Sequence, residues 1–344
     1  MSWAFAIKRA ALVAYALIGA GGLGSAATPH ASAVPSHFPP PPAHPENPTT
    51  PAGVALGERL FHDPRLSHSH GVSCATCHEA KHAFTIPEAR PTRGITHRPL
   101  ARNPPALINL AWAETGLFWD GGSKNLESLS LAPLLHPDEM GREGDLEKMV
   151  GELANDAEYP ALFAAAFAEG AVSIENVMKS IAQYERSLVF ATSRWDELVR
   201  DETKRWTADE RLGGDVFQRD CARCHTPPLF TDFDYHDNGL DSSFGPDPEA
   251  PSRGRGRVTF ADSDIGKYRT PTLRNVSVTG PYMHDGRFGT LEAVVDHYRH
   301  GMKDSPALDP WFQKEDGTRG ISMTDREATV LLAFLDLLTD HTLR

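Results

Sequence analysis

Two pentapeptides limit what this chain can fold around. Cys74-Ala75-Thr76-Cys77-His78 and Cys221-Ala222-Arg223-Cys224-His225 share the spacing Cys-x-x-Cys-His. That spacing sets two thiols to add across the two vinyl groups of one haem, and the adjoining histidine reaches the iron from one face. The chain has four cysteines, and the two motifs use all of them. Four cysteines in an exported chain ordinarily read as a disulfide framework, and a single motif reads equally as a redox pair or half a zinc site. Two copies a domain's length apart predict two covalently bound haem c groups instead, each in its own domain.

The rest of the composition is compatible with that. At 344 residues, 23% charged and 40% apolar, the chain is long enough for two globular domains. A net charge of -12 argues against nucleic acid, which rewards basic patches. Acidity serves solubility, or a partner with a basic surface. Lys8 and Arg9, the apolar run 10–18 and the small residues after it read as a signal peptide over 1–33, cleaved after Ala27 or Ala33. The alternative is an uncleaved anchor. No other segment is apolar for long enough to span a bilayer, so the expectation is an exported, periplasmic protein. Residues 34–51 are proline-rich and read as an extended linker that builds no core.

Helical periodicity covers 146–155 and 172–189, the latter with Ile174, Val177, Ile181, Tyr184 and Leu188 on one face and Ser173 as its cap. Further helices are expected at 56–61, 209–217, 291–298 and 325–338. Thr324 and Glu327 stand at capping-box spacing before the last. No strand pattern is convincing, and long Gly- and Pro-rich loops intervene, notably 236–266. The expected class is all-α: two cytochrome c-like haem domains with long loops, over 52–200 and 201–344.

The strings around the motifs are more specific. Arg102-Asn103-Pro104-Pro105-Ala106-Leu107, Phe118-Trp119-Asp120-Gly121 and His136-Pro137-Asp138-Glu139-Met140-Gly141 follow the first motif. Thr270-Pro271-Thr272-Leu273-Arg274-Asn275 and Pro281-Tyr282-Met283-His284-Asp285-Gly286-Arg287 follow the second. From about residue 52 to the C-terminus, in this order, the chain resembles bacterial di-haem cytochrome c peroxidases. That family includes peroxidases and the MauG-like enzymes, which oxidise side chains on another protein.

The resemblance implies that His78 is the proximal ligand of a peroxide-reactive haem and His225 that of an electron-transfer haem. Trp119 matches the tryptophan between the haems, Glu139 the distal acid that moves a proton in peroxide cleavage, and Pro133 a proline of the same pocket. Read without the family, Trp119 is a core residue and Glu139 a solvated acid. Leu129 departs from the pattern, since family peroxidases often carry glutamine there. A calcium ion is also implied, with Asn103 as side-chain ligand and Thr279 and Pro281 as carbonyl ligands, an oxygen set that suits calcium.

The sixth ligand of the second haem separates the branches. The family's methionine position falls on Tyr298, and MauG-like enzymes have tyrosine there. A phenolate is a hard anionic donor that favours the higher oxidation states of iron, whereas methionine raises the potential. Met302, Met283, His297 and His300 remain competitors, and His284 reads as a group supporting this haem. His82 and His97 are candidate caps on the first haem, although most of the sixteen histidines are expected to be solvated. His62, His68 and His70 read as a loop cluster, with metal binding the alternative. The expected function is a MauG-like oxidoreductase that uses hydrogen peroxide to oxidise a residue, by analogy a tryptophan, on a partner protein. The alternatives are a cytochrome c peroxidase fed by a small redox protein and a pure electron carrier. The MauG-like exit tryptophan is replaced here by Arg219, which leaves Trp206 and Trp195 as weak candidates for an electron route to the surface.

Overall fold

The computed structural model describes residues 34–86, 92–114 and 116–343. The leader and both expected cleavage points lie outside the described residues. Helices and turns dominate the described chain. Its strands are one short antiparallel pair, Tyr235–His236 against Tyr268–Arg269. The expected helices form as Pro51–Phe61, Leu146–Ala154, Ile174–Ser187, Ala208–Asp220, Leu291–Asp296 and Asp325–Asp336. Ser173 and Thr324 cap their helices as expected, the latter in a reciprocal box with Glu327. Of the further helices, Tyr159–Ala166 and Arg194–Arg200 are the longest not expected from the sequence. The first is alanine-rich without a polar face. The second is short, and its signal was the Ser193/Asp196 capping box.

The apolar faces gather into two main cores. One runs from Val54 to Phe190 and includes Leu60, Met149, Phe163 and Ile181. The other runs from Trp195 to Leu338 and includes Phe217, Phe230 and Phe334.

The two halves are built alike. In the first, the Pro51–Phe61 helix crosses Ile174–Ser187 so closely that a Cβ on Gly57 would lie 2.0 Å from the Ser180 carbonyl oxygen. In the second, Ala208–Asp220 crosses Asp325–Asp336, and a Cβ on Gly213 would lie 2.2 Å from the Val330 carbonyl oxygen. Only glycine permits either approach. Asn109 and Asn275, both with positive φ, then latch each half. The Asn109 N–H donates to Leu188 O (2.9 Å) and its Oδ1 accepts from Phe190 N (2.9 Å). The Asn275 N–H donates to Leu338 O (3.0 Å) and its Oδ1 accepts from Asp340 N (2.7 Å). Asparagine suits both tasks because it tolerates the left-handed region and carries an acceptor.

The proline-rich 34–51 segment, expected as an extended tether or N-terminal arm, lies docked on the body of the protein. Phe38 is buried against Trp112, Ala191 and Leu229, with the Arg274 guanidinium 4.6 Å from its ring. Trp112 Nε1 donates to Pro39 O (2.8 Å), His37 meets Asp196 (2.6 Å), and Asn47 donates to Glu127 (2.7 Å). Prolines keep such an arm extended and lower the entropy lost on docking, so one buried ring and a few hydrogen bonds hold it against both halves.

Candidate functional site

Each Cys-x-x-Cys-His motif closes one helical turn. Ser73 and Thr76 cap the turn Cys74–Cys77, and the His78 N–H donates to Cys74 O (3.0 Å). The second motif continues the Ala208–Asp220 helix, and the His225 N–H donates to Cys221 O (2.9 Å). No disulfide links the four cysteines. Each histidine is oriented by its inner nitrogen, His78 Nδ1 against Phe84 O (2.8 Å) and His225 Nδ1 against Phe230 O (3.3 Å). Burial lowers the pKa of both to about 4. Both rings are therefore neutral, with Nδ1 as donor and Nε2 left as the basic nitrogen, the tautomer a metal ligand needs.

A cavity opens beside the second motif. Cys221, Cys224 and His225 line it, with Tyr298 and Met283 from the second half and Trp119 from the first. Tyr298 Oη accepts a hydrogen bond from Asn238 Nδ2 (3.2 Å). Two competitors for the sixth position turn away: His297 Nε2 bonds the Asn238 carbonyl oxygen (3.0 Å), and His300 is exposed. Neither they nor Met302 line the cavity. Arg269 also lines it, buried, with Nε donating to Phe118 O (3.1 Å) and no carboxylate partner among the described residues. Burial lowers its pKa. A buried guanidinium facing a cavity calls for an anion, and a haem propionate would supply one. The cavity residues thus fit a c-type haem.

Trp119 and His284 occupy corresponding places in the two halves and exchange backbone hydrogen bonds across the junction. The Arg269 N–H donates to Trp119 O (2.7 Å), and the Asn103 N–H to His284 O (2.8 Å). Trp119 Nε1 donates to Asn103 O (2.7 Å), while His284 stacks on Tyr268 with ring centroids 3.8 Å apart. Asn103 Nδ2 donates to Pro281 O (2.6 Å), so two of the three expected calcium ligands meet at this junction. Thr279 lines the same cavity as Asn103 and Pro281.

Glu139 lies on a turn of the first half. Its N–H donates to His136 O (3.1 Å), its carbonyl accepts from Ile95 N (2.9 Å), and its carboxylate is 3.9 Å from His136 Nδ1. A Cβ on Gly94 would lie 2.1 Å from Asp138 O, so only glycine lets the 94–95 segment approach this turn. Burial raises the Glu139 pKa, His136 opposes and Asp138 adds to the rise. Its charge in turn reaches Cys77, whose pKa rises to about 11, chiefly through burial. Pro133 accepts from Met140 N through its carbonyl (3.2 Å), and Leu129 belongs to the first core.

Other expected groups are not brought to the site. His97 is exposed with positive φ, and His82 sits in the surface turn Ala80–His82. His62, His68 and His70 bond separately to Glu58 O, Asp145 and Glu152, rather than converging on one point. Trp195 is buried in the second core, and Trp206 packs against it. Sequence reasoning missed Asn238, which no motif marks, and Trp311. Trp311 is 41% exposed, yet it lines the cavity and carries the Arg223 guanidinium 5.2 Å from its ring.

A family model described as di-haem cytochrome c peroxidase matches residues 51–204. The chain is 37% identical to a methylamine utilization protein MauG of Methylorubrum extorquens over 301 residues, 86% of this chain and 80% of the relative. It is 32% identical to a cytochrome c551 peroxidase of Nitrosomonas europaea, covering 70% of this chain and 71% of that one. A crystal structure of a MauG-like protein associated with microbial copper homeostasis superposes with a TM-score of 0.81 at 30% identity, covering 90% of this chain and 96% of that one.

Proposed function

The chain belongs to the di-haem cytochrome c peroxidase and MauG family, an oxidoreductase class acting on peroxide, and from that premise we propose that it is of the MauG-like kind, removing electrons from a residue, by analogy a tryptophan, on a partner protein. The observation that carries this reading is the Tyr298 hydroxyl in the cavity beside His225. Each half is read as a cytochrome c-like haem domain, 52–200 and 201–344, with helix Arg194–Arg200 packing into the second core.

When bound, the haems supply peroxide-dependent oxidation; the chain holds, orients and insulates them. Cys74, Cys77 and His78 would hold one and Cys221, Cys224 and His225 the other, with Tyr298 as a further donor from the same cavity and Arg269 as countercharge.

Chain correspondence supports the division of labour. Asn125 and Thr290 cap equivalent helices that begin at Leu126 and Leu291, and counting on from them pairs Pro133 with Tyr298. Proline has no donor side chain, so the first site keeps an open face, and Glu139 is the carboxylate that moves a proton there. Trp119, hydrogen-bonded across the junction, is the aromatic link between the sites. Trp311, reaching both cavity and solvent, is the exit toward a partner. Trp311→Phe is expected to slow oxidation of the partner more than the reaction with peroxide.

A calcium ion at the Asn103–Pro281 junction belongs to the same proposal. Turning the Asn103 amide to present Oδ1 would give a cation a hard oxygen set beside the Thr279 and Pro281 carbonyls. Export to the periplasm rests on the leader sequence; no helix of the described residues is long and apolar enough to cross a membrane.

Met283 in the same cavity favours the second reading, a peroxidase with a thioether ligand fed by a small redox protein. One experiment separates them. Stoichiometric peroxide is added to the fully ferric holoprotein without reductant, and both irons are followed by optical and Mössbauer spectroscopy. Oxidation shared by both irons supports the MauG-like reading. A protein inert until its second haem is reduced is an ordinary peroxidase, and one inert in both states is an electron carrier.

A further inference from the structure

Tyr298 and Met283 reach the same cavity, and one side chain touches both. Asn238 Nδ2 lies 3.2 Å from Tyr298 Oη and 3.7 Å from Met283 Sδ. We propose that Asn238 is the positioning residue that makes Tyr298, and not Met283, the second axial donor to the haem held by His225. This rests on the reading of Tyr298 given above.

Asn238 is fixed from both sides. Asp237 is buried; it accepts from Gly239 N through its carboxylate (2.8 Å) and from Asp309 N through its carbonyl (3.0 Å), and it holds Ser305 by a further hydrogen bond. The Gly239 carbonyl accepts from Lys303 N (2.7 Å). The Asn238 carbonyl itself accepts from His297 Nε2 (3.0 Å). The same residue thus holds His297 by its main chain and Tyr298 by its amide. These two neighbours begin the π-helical turn His297–Gly301. Such turns insert an extra residue and re-aim side chains at functional sites. Ile321 N donates to the Tyr298 carbonyl (2.8 Å) and fixes the turn from its far side.

The chemistry of the amide discriminates between the two donors. A phenolate oxygen is a strong acceptor, and hydrogen bonds to a charged acceptor are short and strong. A thioether sulfur is a weak acceptor. The Nδ2 amino group has a donor for each, and its hydrogen bond stabilises the oxygen as an anionic ligand while giving the sulfur little. Met283 is held at φ +71, in the left-handed region, on the turn before His284. Its soft sulfur suits reduced iron, whereas the hard phenolate suits oxidised iron. Removing the amide weakens the phenolate and releases the competitor in one step.

The test uses the holoprotein and spectroscopic readouts. Midpoint potentials of both haems and the phenolate-to-iron charge-transfer and resonance Raman bands are measured for wild type, Asn238→Ala, Asn238→Gln, Met283→Leu and Asn238→Ala/Met283→Leu. Asn238→Ala is expected to weaken the phenolate bands and raise the potential of the second haem, leaving the first unchanged. Asn238→Gln, which keeps an amide donor, should recover part of both signals. The double variant should lack the thioether signature that Asn238→Ala acquires. Unchanged phenolate bands and potential in a folded Asn238→Ala protein overturn the role of Asn238 alone. A wild type without phenolate bands, whose spectrum Tyr298→Phe does not alter, overturns the axial-tyrosine reading and this inference with it.

Discussion

The two halves share their helix crossings, cysteine turns and asparagine latches, and they differ at particular matched positions. The latch segments align Ile108 with Arg274: the first half buries an aliphatic side chain where the second buries a guanidinium. The crossed helices align Tyr184 with Phe334, and therefore Glu185 with Leu335. Here the first half buries the carboxyl and the second the aliphatic. Pro133 and Tyr298 are a third such pair. A common scaffold thus carries three exchanged side chains that make the two halves chemically unequal.

The comparison breaks most visibly at Glu139. Glu139→Gln is expected to slow the reaction with peroxide by about 10²–10⁴-fold, while the spectrum of the second haem stays as in wild type. Stopped-flow traces at the wavelengths of each haem would show it. Burial raises the pKa of Glu139, with His136 opposing and Asp138 assisting. As the base form does the work, the rate should fall on acidification with a limb above the ordinary glutamate value. An equal loss at both haems would mean that the acid supports the fold rather than the chemistry.

Next in size is the buried pair of the second half. Arg274 makes two 2.9 Å hydrogen bonds to Asp196, and His37 of the N-terminal arm adds a third contact. Burial alone would raise the Asp196 pKa, but the His37 and Arg274 hydrogen bonds hold it far below the usual range. Asp196→Ala leaves the guanidinium buried without its partner and should cost about 3–5 kcal/mol, measured by denaturant unfolding of the holoprotein. A carboxylate with a depressed folded pKa stabilises above its unfolded pKa. That contribution is lost as pH falls below the ordinary aspartate range. Ile108, at the matching place of the first half, carries no such linkage.

Much of this was legible from sequence because it depends on local spacing. The motif helices, the Ser173 and Thr324 caps and the strings around Trp119 and Glu139 all lie within short stretches. What stayed hidden depends on chain segments meeting from afar. Asn238 has no neighbours in sequence that mark it; its role appears only when His297 and Tyr298 fold back over it. The likeness of the halves was also hidden, since the cysteine motifs, latches and crossed helices each repeat at a different separation. For 34–51, proline content signals extension but does not say whether an extended segment stays a tether or docks as an arm. Phe38 and His37 were the available clue.

Glu185 sharpens the contrast from the opposite side. It is buried, its Oε2 has no hydrogen-bond partner among the described residues, and burial pushes its pKa up to about 8, against the pull of Arg186. An acid whose folded pKa exceeds its unfolded value destabilises the fold once pH passes the unfolded value. The loss grows by about 1.4 kcal/mol per pH unit and levels off above the folded pKa. Glu185→Leu, which copies Leu335, should therefore be neutral or stabilising by about 1–3 kcal/mol at neutral pH. It should also flatten the decline in stability between about pH 5 and 8. A variant less stable than wild type would show that the carboxyl has a partner in the holoprotein, and a bound cofactor is the place to look.

The smallest effect tests whether the scaffold is truly duplicated. Thr85 Oγ1 donates to Pro104 O (2.6 Å), and Thr231 Oγ1 donates to Thr270 O (2.7 Å). Each bond ties the loop after a cysteine motif to the strand-like segment whose next residue, Pro105 or Pro271, adds a carbonyl against the motif histidine. Thr85→Val and Thr231→Val keep shape and remove the donor, so each should cost about 1 kcal/mol. The losses should be equal and, because the sites lie in different halves, additive in the double variant. Unequal losses would mean that one histidine relies on its threonine more than the other. The expected order then puts the first half ahead, where the His78 contact to Phe84 O is the shorter at 2.8 Å against 3.3 Å and any shift of the loop would move the ring with it.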